Sequence, residues 1–368
     1  MSQKYQLSQW FLGFLKVVLH QNRRKQTFGL LVTFSAFLVV TPSMMVTSQT
    51  KLLAETFVPS QNLEAASLFQ QGVMRYNYKD FQAAENAFRQ ALQRDPNIAA
   101  AYNYLGSIML QQNRLDAAVQ EFSEAIRINP NVGEVYYNIG LALHKQGQKE
   151  AAITAYRQAI VINPTMAAAY YNQGLAVYEL GQVDAAIDLY QKAINLDSTN
   201  VNAYSNLAKA LEQKGQTSEA IAAYGKIVEI NPENADAYNN MAGLMANQGQ
   251  ALEAIAVYQQ AIRRIPKDAE AYYNLGVTWY NQGDYKKANG ALKAARDRYR
   301  KQGNIEQASK VEQLMQQIVQ LAAYKKTQVG QTQNTLPTQT PTNSVAIPEQ
   351  QTADPSVPIP VEPPTLDR

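Results

Sequence analysis

The sequence predicts an all-α solenoid of seven 34-residue helix-turn-helix repeats closed by a C-terminal capping helix, and three periodic series predict it. Pro96, Pro130, Pro164, Pro232 and Pro266 recur on a period of 34, with Ser198 in the one vacant register. Gly72, Gly106, Gly140, Gly174 and Gly276 keep the same period, and Ala84, Ala118, Ala152, Ala186, Ala220, Ala254 and Ala288 complete it in all seven copies. A period of this length, kept without insertion from residue 65 to residue 302, is the mark of stacked units that each bury an apolar face against a neighbour.

The chain divides accordingly. Residues 1–27 are a basic N-terminal region, 28–46 an apolar segment and 47–64 a linker. The repeats follow at 65–98, 99–132, 133–166, 167–200, 201–234, 235–268 and 269–302, then a capping helix at 303–326 and a tail at 327–368. Arg23, Arg24 and Lys25 precede an uncharged run from Gln26 to Thr50 whose apolar centre is Phe28 to Val40. A basic flank before an apolar core is the order of an export signal, and extended to Val46 the run is long enough to span about 30 Å of hydrocarbon. A cleaved signal, processed at Val46-Thr47-Ser48, and an uncleaved transmembrane anchor both fit. The basic flank predicts that residues 1–27 stay cytoplasmic and that the repeats are exported to the periplasmic or lumenal side of the cytoplasmic or thylakoid membrane.

Each signature residue has a mechanical role in a pair of antiparallel helices, A and B. Gly or Ala at the eighth repeat position and Ala at the twentieth let the two helices approach closely. Tyr102, Tyr136, Tyr170, Tyr204, Tyr238 and Tyr272 at position four fill the space around the crossing, with Phe88, Phe122, Tyr156, Tyr190, Tyr224 and Tyr258 at position 24. Asn129-Pro130, Asn163-Pro164 and Asn231-Pro232 end one repeat and start the next, because the residue before proline avoids the helical region. Gly147, Gly249 and Gly283 stand where helix A must stop. An aromatic, then Leu-Gly, then Ala, an aromatic, Ala and Pro is the pattern of the tetratricopeptide repeat, and residues 65–302 resemble that family. The resemblance implies a right-handed TPR superhelix whose A helices line a concave wall, where the family binds extended peptides or partner helices. Departures gather at the ends of the array, at Arg75, Leu292 and Arg300.

Beyond the repeats, Ile305, Ala308, Val311, Leu314, Ile318 and Leu321 keep helical spacing, which predicts a helix covering the open end of repeat seven. From Thr327 the chain turns to Pro, Thr and Gln with few large apolar side chains, a composition that predicts a disordered tether.

Position six of helix A is Asn in five consecutive copies: Asn138, Asn172, Asn206, Asn240 and Asn274. A carboxamide carries donors and an acceptor, so it can pair with a peptide backbone without reading side chains. Adjacent A helices about 8–10 Å apart would set one Asn against roughly every third residue of an extended ligand. The row resembles the asparagine ladder of O-linked GlcNAc transferases, and Asn is also common at this position of the family; a binding ladder and a structural habit both fit. Tyr137, Tyr171, Tyr273, Tyr178 and Tyr280 are the aromatic members of the candidate groove. Lys145 and Lys209 are the cations placed there, which does not resemble the carboxylate-clamp members of the family.

The 33 basic and 30 acidic residues of the chain leave the repeats close to neutral, unlike a general nucleic-acid binder, so no nucleic acid is expected as partner. The charge is uneven: 263–301 is basic, and Arg296, Arg298 and Arg300 there are candidates for electrostatic docking of an acidic partner or anionic surface. There is no cysteine, His20 and His144 are the only histidines, and the glycines are explained by the repeat. The inventory therefore points away from an enzyme, and no cofactor or metal is expected; His144 reads as a groove-lining residue without a carboxylate constellation. The expected function is a protein-binding scaffold or assembly factor of the cell envelope, attached to the membrane through its N-terminal segment. Photosystem assembly and a glycan or peptidoglycan accessory role are the alternatives.

Overall fold

The computed structural model describes residues 62–332, with side chains described to residue 323. The basic region, the apolar segment, residues 47–61 and nearly all of the tail lie outside them. Fifteen helices and no strand are found among the described residues, and none of these helices is long and apolar enough to cross a membrane. They are α1 (Leu63–Asn77), α2 (Phe81–Leu92), α3 (Ala99–Gln111), α4 (Leu115–Ile128), α5 (Gly133–Lys145), α6 (Lys149–Ile162), α7 (Ala167–Tyr178) and α8 (Val183–Leu196). Then follow α9 (Val201–Gln213), α10 (Thr217–Ile230), α11 (Ala235–Asn247), α12 (Ala251–Arg264), α13 (Ala269–Asn281), α14 (Tyr285–Lys301) and α15 (Ile305–Thr332). The predicted all-α solenoid of helix-turn-helix repeats is the architecture formed. Contacts divide it after Leu180 into two units. The first holds the pairs α1/α2, α3/α4 and α5/α6 and then the A helix α7. The second holds the B helix α8, the pairs α9/α10, α11/α12 and α13/α14, and α15.

Two turn devices build the links. From A to B, the chain reverses through a residue with positive φ, and the N–H groups on either side of it return to the helix end. Gly147, at φ 75°, donates to the His144 carbonyl (2.8 Å) and Gln148 to that of Leu143 (2.9 Å). Glycine takes this left-handed conformation without a Cβ clash. Lys79 (φ 59°) and Asn113 (φ 58°) hold the same place in the first two repeats. From B to A, a side chain replaces the backbone. Asn163 Oδ1 accepts from the N–H of Thr165 (3.2 Å), spanning Pro164, which has no N–H to offer. Asn129 and Asn231 repeat the turn, and Asp197 makes it with Thr199 (3.0 Å), so the register occupied by Ser198 keeps its link without a proline.

Packing inside a pair is set at the eighth position. A Cβ on Gly140 would stand 2.4 Å from Cε1 of Tyr156, and one on Gly106 would stand 2.6 Å from the Phe122 ring. Those rings are fully buried, as are Phe88, Tyr136, Tyr190, Tyr238 and Tyr258. Phe88 and Phe122 satisfy the position as well as tyrosine does, and the Tyr156 hydroxyl has no hydrogen-bond partner in its buried place. The end of the array is closed by α15, whose Val311, Leu314, Met315 and Ile318 cluster with Leu292, Tyr273, Tyr280 and Tyr299. This helix continues to Thr332, the last described residue, six residues past the composition boundary at 326.

Gly140→Ala is expected to destabilise the chain by about 1–3 kcal/mol, because the buried Tyr156 ring has no free direction in which to move. Tyr156→Phe should be neutral or stabilising by up to about 1 kcal/mol, since it removes an unsatisfied buried hydroxyl. Urea denaturation of the two variants checks both, and Lys79→Gly should raise stability by roughly 0.5–1 kcal/mol in the same assay.

Candidate functional site

Residues two, six and thirteen of an A helix share one face, because intervals of four and seven residues bring the α-helix back to nearly the same direction. In the first unit position six holds Gln70, Tyr104, Asn138 and Asn172; in the second it holds Asn206, Asn240 and Asn274. These side chains are not equally available. Gln70 is exposed, Tyr104, Asn138, Asn206 and Asn240 are half-buried, and Asn172 and Asn274 are only 2% and 3% exposed.

The structure spends several of the asparagine donors internally. Asn138 Nδ2 donates to Asn103 Oδ1 of the preceding repeat (3.4 Å). Asn172 Nδ2 donates to the Tyr137 hydroxyl of the preceding repeat (3.2 Å) and to the Ala168 carbonyl (2.9 Å). In the second unit the Tyr224 hydroxyl donates to Glu212 Oε1 (2.7 Å). Burial raises the Glu212 carboxyl above its ordinary range. These asparagines thus tie neighbouring elements together.

The tyrosines divide in the same way. Tyr137 and Tyr171 are buried, and burial pushes the Tyr137 hydroxyl up to about 12. Tyr178 is half-buried. Tyr273 and Tyr280 are half-buried and packed into the cluster under α15, so that helix covers part of the face they were expected to line.

What remains at the surface is position thirteen in six of the seven A helices, which the sequence reading passed over; the member in repeat four, Glu179, is half-buried and ion-paired. Asn77, Gln111 and Lys145 in the first unit are exposed, as are Gln213, Asn247 and Asn281 in the second. Five of these six are carboxamides standing two turns beyond position six on the same face. The signal was present in the sequence at the same period; the more regular Asn series seven residues earlier masked it.

Charged groups are mostly matched within each unit. Glu85, 7% exposed, is held by Arg89 and Arg114, both at 3.0 Å, and Arg89 also reaches Glu121. His144, expected to lack a carboxylate, has one: its Nε2 lies 3.2 Å from Oε1 of Glu179, whose other oxygen accepts from Lys149 (2.7 Å). The contact went unseen because it joins residues 35 apart, one repeat plus one position, and not the 34 of the sequence period. Glu134 differs: it has no hydrogen-bond or ion-pair partner among the described residues, and burial alone raises its carboxyl. Among the described residues no group of three or more metal-ligating side chains is present.

The three arginines proposed for docking are engaged at the end of the array. Arg300 grips both oxygens of Glu312 on α15 (2.8 and 2.9 Å), and Arg296 reaches the same carboxylate (3.5 Å) and Asp297 (2.8 Å). Arg298 lies over the Tyr272 ring, 3.7 Å from its centroid, and donates to the Tyr272 hydroxyl and to the carbonyls of Pro266 and Ala294. They hold α15 and the link between repeats six and seven.

Family models described as TPR repeat match residues 142–181, 174–215, 213–249 and 246–283. Models described as tetratricopeptide repeat match 78–132, 121–154 and 270–302. Together they span 78–302, more than half of the 368 residues. No curated protein matches. Among solved structures, MamA is 30% identical over 45% of this chain and 96% of its own, with a TM-score of 0.43. YrrB, described as a TPR protein with an unusual peptide-binding site, is 26% identical over 52% of this chain and 99% of its own, with a TM-score of 0.44. The C-terminal part of a TPR repeat-containing protein from Cytophaga hutchinsonii shares the fold, with a TM-score of 0.55 at 20% identity over 62% of this chain and 93% of its own.

Asn172→Ala is expected to lower stability by about 1–3 kcal/mol, since it strands the buried Tyr137 hydroxyl. Gln70→Ala, at an exposed position six, should change it by no more than about 0.5 kcal/mol. Thermal melts of the two variants distinguish a structural from a surface carboxamide.

Proposed function

The chain belongs to the tetratricopeptide repeat family, and from that premise we propose that it is a non-enzymatic scaffold or assembly factor of the cell envelope. Within each unit, the A-helix face holds an extended segment of another protein. The observation that carries this reading is the exposed row at position thirteen: Asn77, Gln111 and Lys145 in one unit, and Gln213, Asn247 and Asn281 in the other. Carboxamides both donate and accept, so a row of them can pair with a peptide main chain whatever its side chains are. The buried carboxylate Glu85 and the half-buried Glu121, by contrast, are paired with arginines on and between the repeats, so that side presents fewer uncommitted groups. Burial of Tyr137 and Tyr171 removes rings on which a sugar could stack, which favours polypeptide over glycan.

Location is part of the proposal. Its support is the basic flank and apolar run at 23–46, which would leave the repeats on the far side of the membrane. Protease added to intact spheroplasts should then degrade the repeats; degradation only after lysis would overturn that location.

The binding face is tested in the native cell with a photo-crosslinking amino acid at single positions of the full chain. Asn77, Lys145, Gln213 and Asn247 sample the A helices, and the exposed Gln90, Arg157 and Gln191 sample the B helices. Discrete adducts with another protein are expected from the A positions. Adducts confined to the B positions would move the site to the opposite face.

A further inference from the structure

Repeat seven differs from the other six on one face of its B helix. Position 26 holds Gln90, Glu124, Gln158, Lys192, Lys226 and Gln260 in repeats one to six, and Ala294 in the seventh. One turn earlier, position 22 is Gly290 where no other copy has glycine, and a Cβ there would meet nothing within 4 Å. Packing therefore does not require this glycine, although a glycine inside a helix weakens it. Where those side chains are missing, a groove of about 540 Å³ lies between α12, α13 and α14, with Tyr272, Leu275, Trp279 and Ala291 among its walls. Trp279 stands at position 11, where the other repeats carry Arg75, Met109, Leu143, Val177, Leu211 and Met245. An apolar cleft of this size with an aromatic wall takes a few side chains of an extended ligand.

A candidate occupant is present in the chain itself. The tail, which composition alone assigns to a tether, carries Ser344-Val345-Ala346-Ile347-Pro348 and again Ser356-Val357-Pro358-Ile359-Pro360. An acid follows each copy, at Glu349 and Glu362, and the second copy gains Pro358 and Val361. Proline at alternate positions favours the extended polyproline form, which loses little conformational entropy on an aromatic groove. The charges match as well. Beyond residue 332 the tail holds Glu349, Asp354, Glu362 and Asp367 against Arg368, and exposed Lys286 and Lys293 flank Gly290 on α14. Neither lysine forms an ion pair among the described residues, unlike Arg296 and Arg300. Lys287 lies 4.0 Å from the Trp279 ring centroid and pairs with Asp284; its side chain, 58% exposed, can swing from the ring to an entering carboxylate. Residues 333–355 reach about 75 Å when extended, further than the roughly 42 Å of α15, and such a tether raises the local concentration enough to seat a weak motif. We propose that residues 356–362 occupy the groove of repeat seven in the same chain, with their apolar side chains against the Trp279 wall and Glu362 beside the α14 lysines.

Tryptophan fluorescence reads this site, because Trp10 and Trp279 are the only tryptophans of the chain. In the full-length protein carrying Trp10→Phe, the intact tail should shield Trp279 from water. Changing Val345, Ile347, Val357 and Ile359 to serine spoils both copies of the motif. Emission should then shift to the red and quenching by acrylamide should rise, and a free peptide of residues 354–364 should reverse both changes. Emission and quenching that match the intact chain would overturn the proposal.

A second substitution fixes the place. Ala294→Gln, added to the serine variant, should abolish the response to the free peptide by filling the groove. Glutamine already stands at this position in repeats one, three and six, so the B helix accommodates it. Gly290→Gln, where a side chain meets open space, takes its place if that variant does not fold. A peptide response that survives the filled groove would put the tail elsewhere and overturn the site. Emission of the intact chain should not change on tenfold dilution; a red shift there would give the tail to a second copy and overturn the same-chain seat.

Discussion

The close approach of helix A to helix B within a pair is the constraint on which the other features depend. At Gly72, Gly106 and Gly140 the partner ring already occupies the place a Cβ would take. That contact turns two short amphipathic helices into one rigid unit, since neither is long enough to be stable alone in water. The rings at position 24 are buried by the same approach, as are Tyr136 and Tyr238 at position four, while Tyr102, Tyr170, Tyr204 and Tyr272 are half-buried. Ala208 and Ala242 stand at the eighth position in repeats five and six, where the Tyr224 hydroxyl donates to Glu212 and that of Tyr258 is buried as Tyr156's is.

Once pairs are rigid, everything between them is decided by how one A helix is offset from the next. The cross-repeat bonds Gln111 to Tyr76, Asn138 to Asn103 and Asn172 to Tyr137 all join residues 35 apart. The offset of one beyond the repeat length brings position six of one helix beside position five of its predecessor. Asparagine at position six is therefore drawn into the wall, and position thirteen, two turns on, is left at the surface in six of the seven repeats. The same offset joins His144 to Glu179.

The basic end follows from the absence of an eighth repeat. The last B helix would present an apolar face to water, and α15 covers it with Val311 and Ile318. A single helix is a thin cover, and the ion pairs from Arg296 and Arg300 to Glu312 secure it. Positive charge that looked available for docking in one dimension is committed to closing the array.

Fold class, repeat limits, the small residues at the helix crossing and the turn chemistry of the links were legible in the sequence, because each depends on local spacing and recurs seven times. Periodicity reports what a residue does inside its own repeat. The sequence could not tell a buried asparagine from an exposed one, a paired arginine from a free one, or a lone carboxylate from one facing lysine. Those outcomes depend on the one-residue offset between neighbouring repeats and on the seat of α15, and only the packed structure decides either.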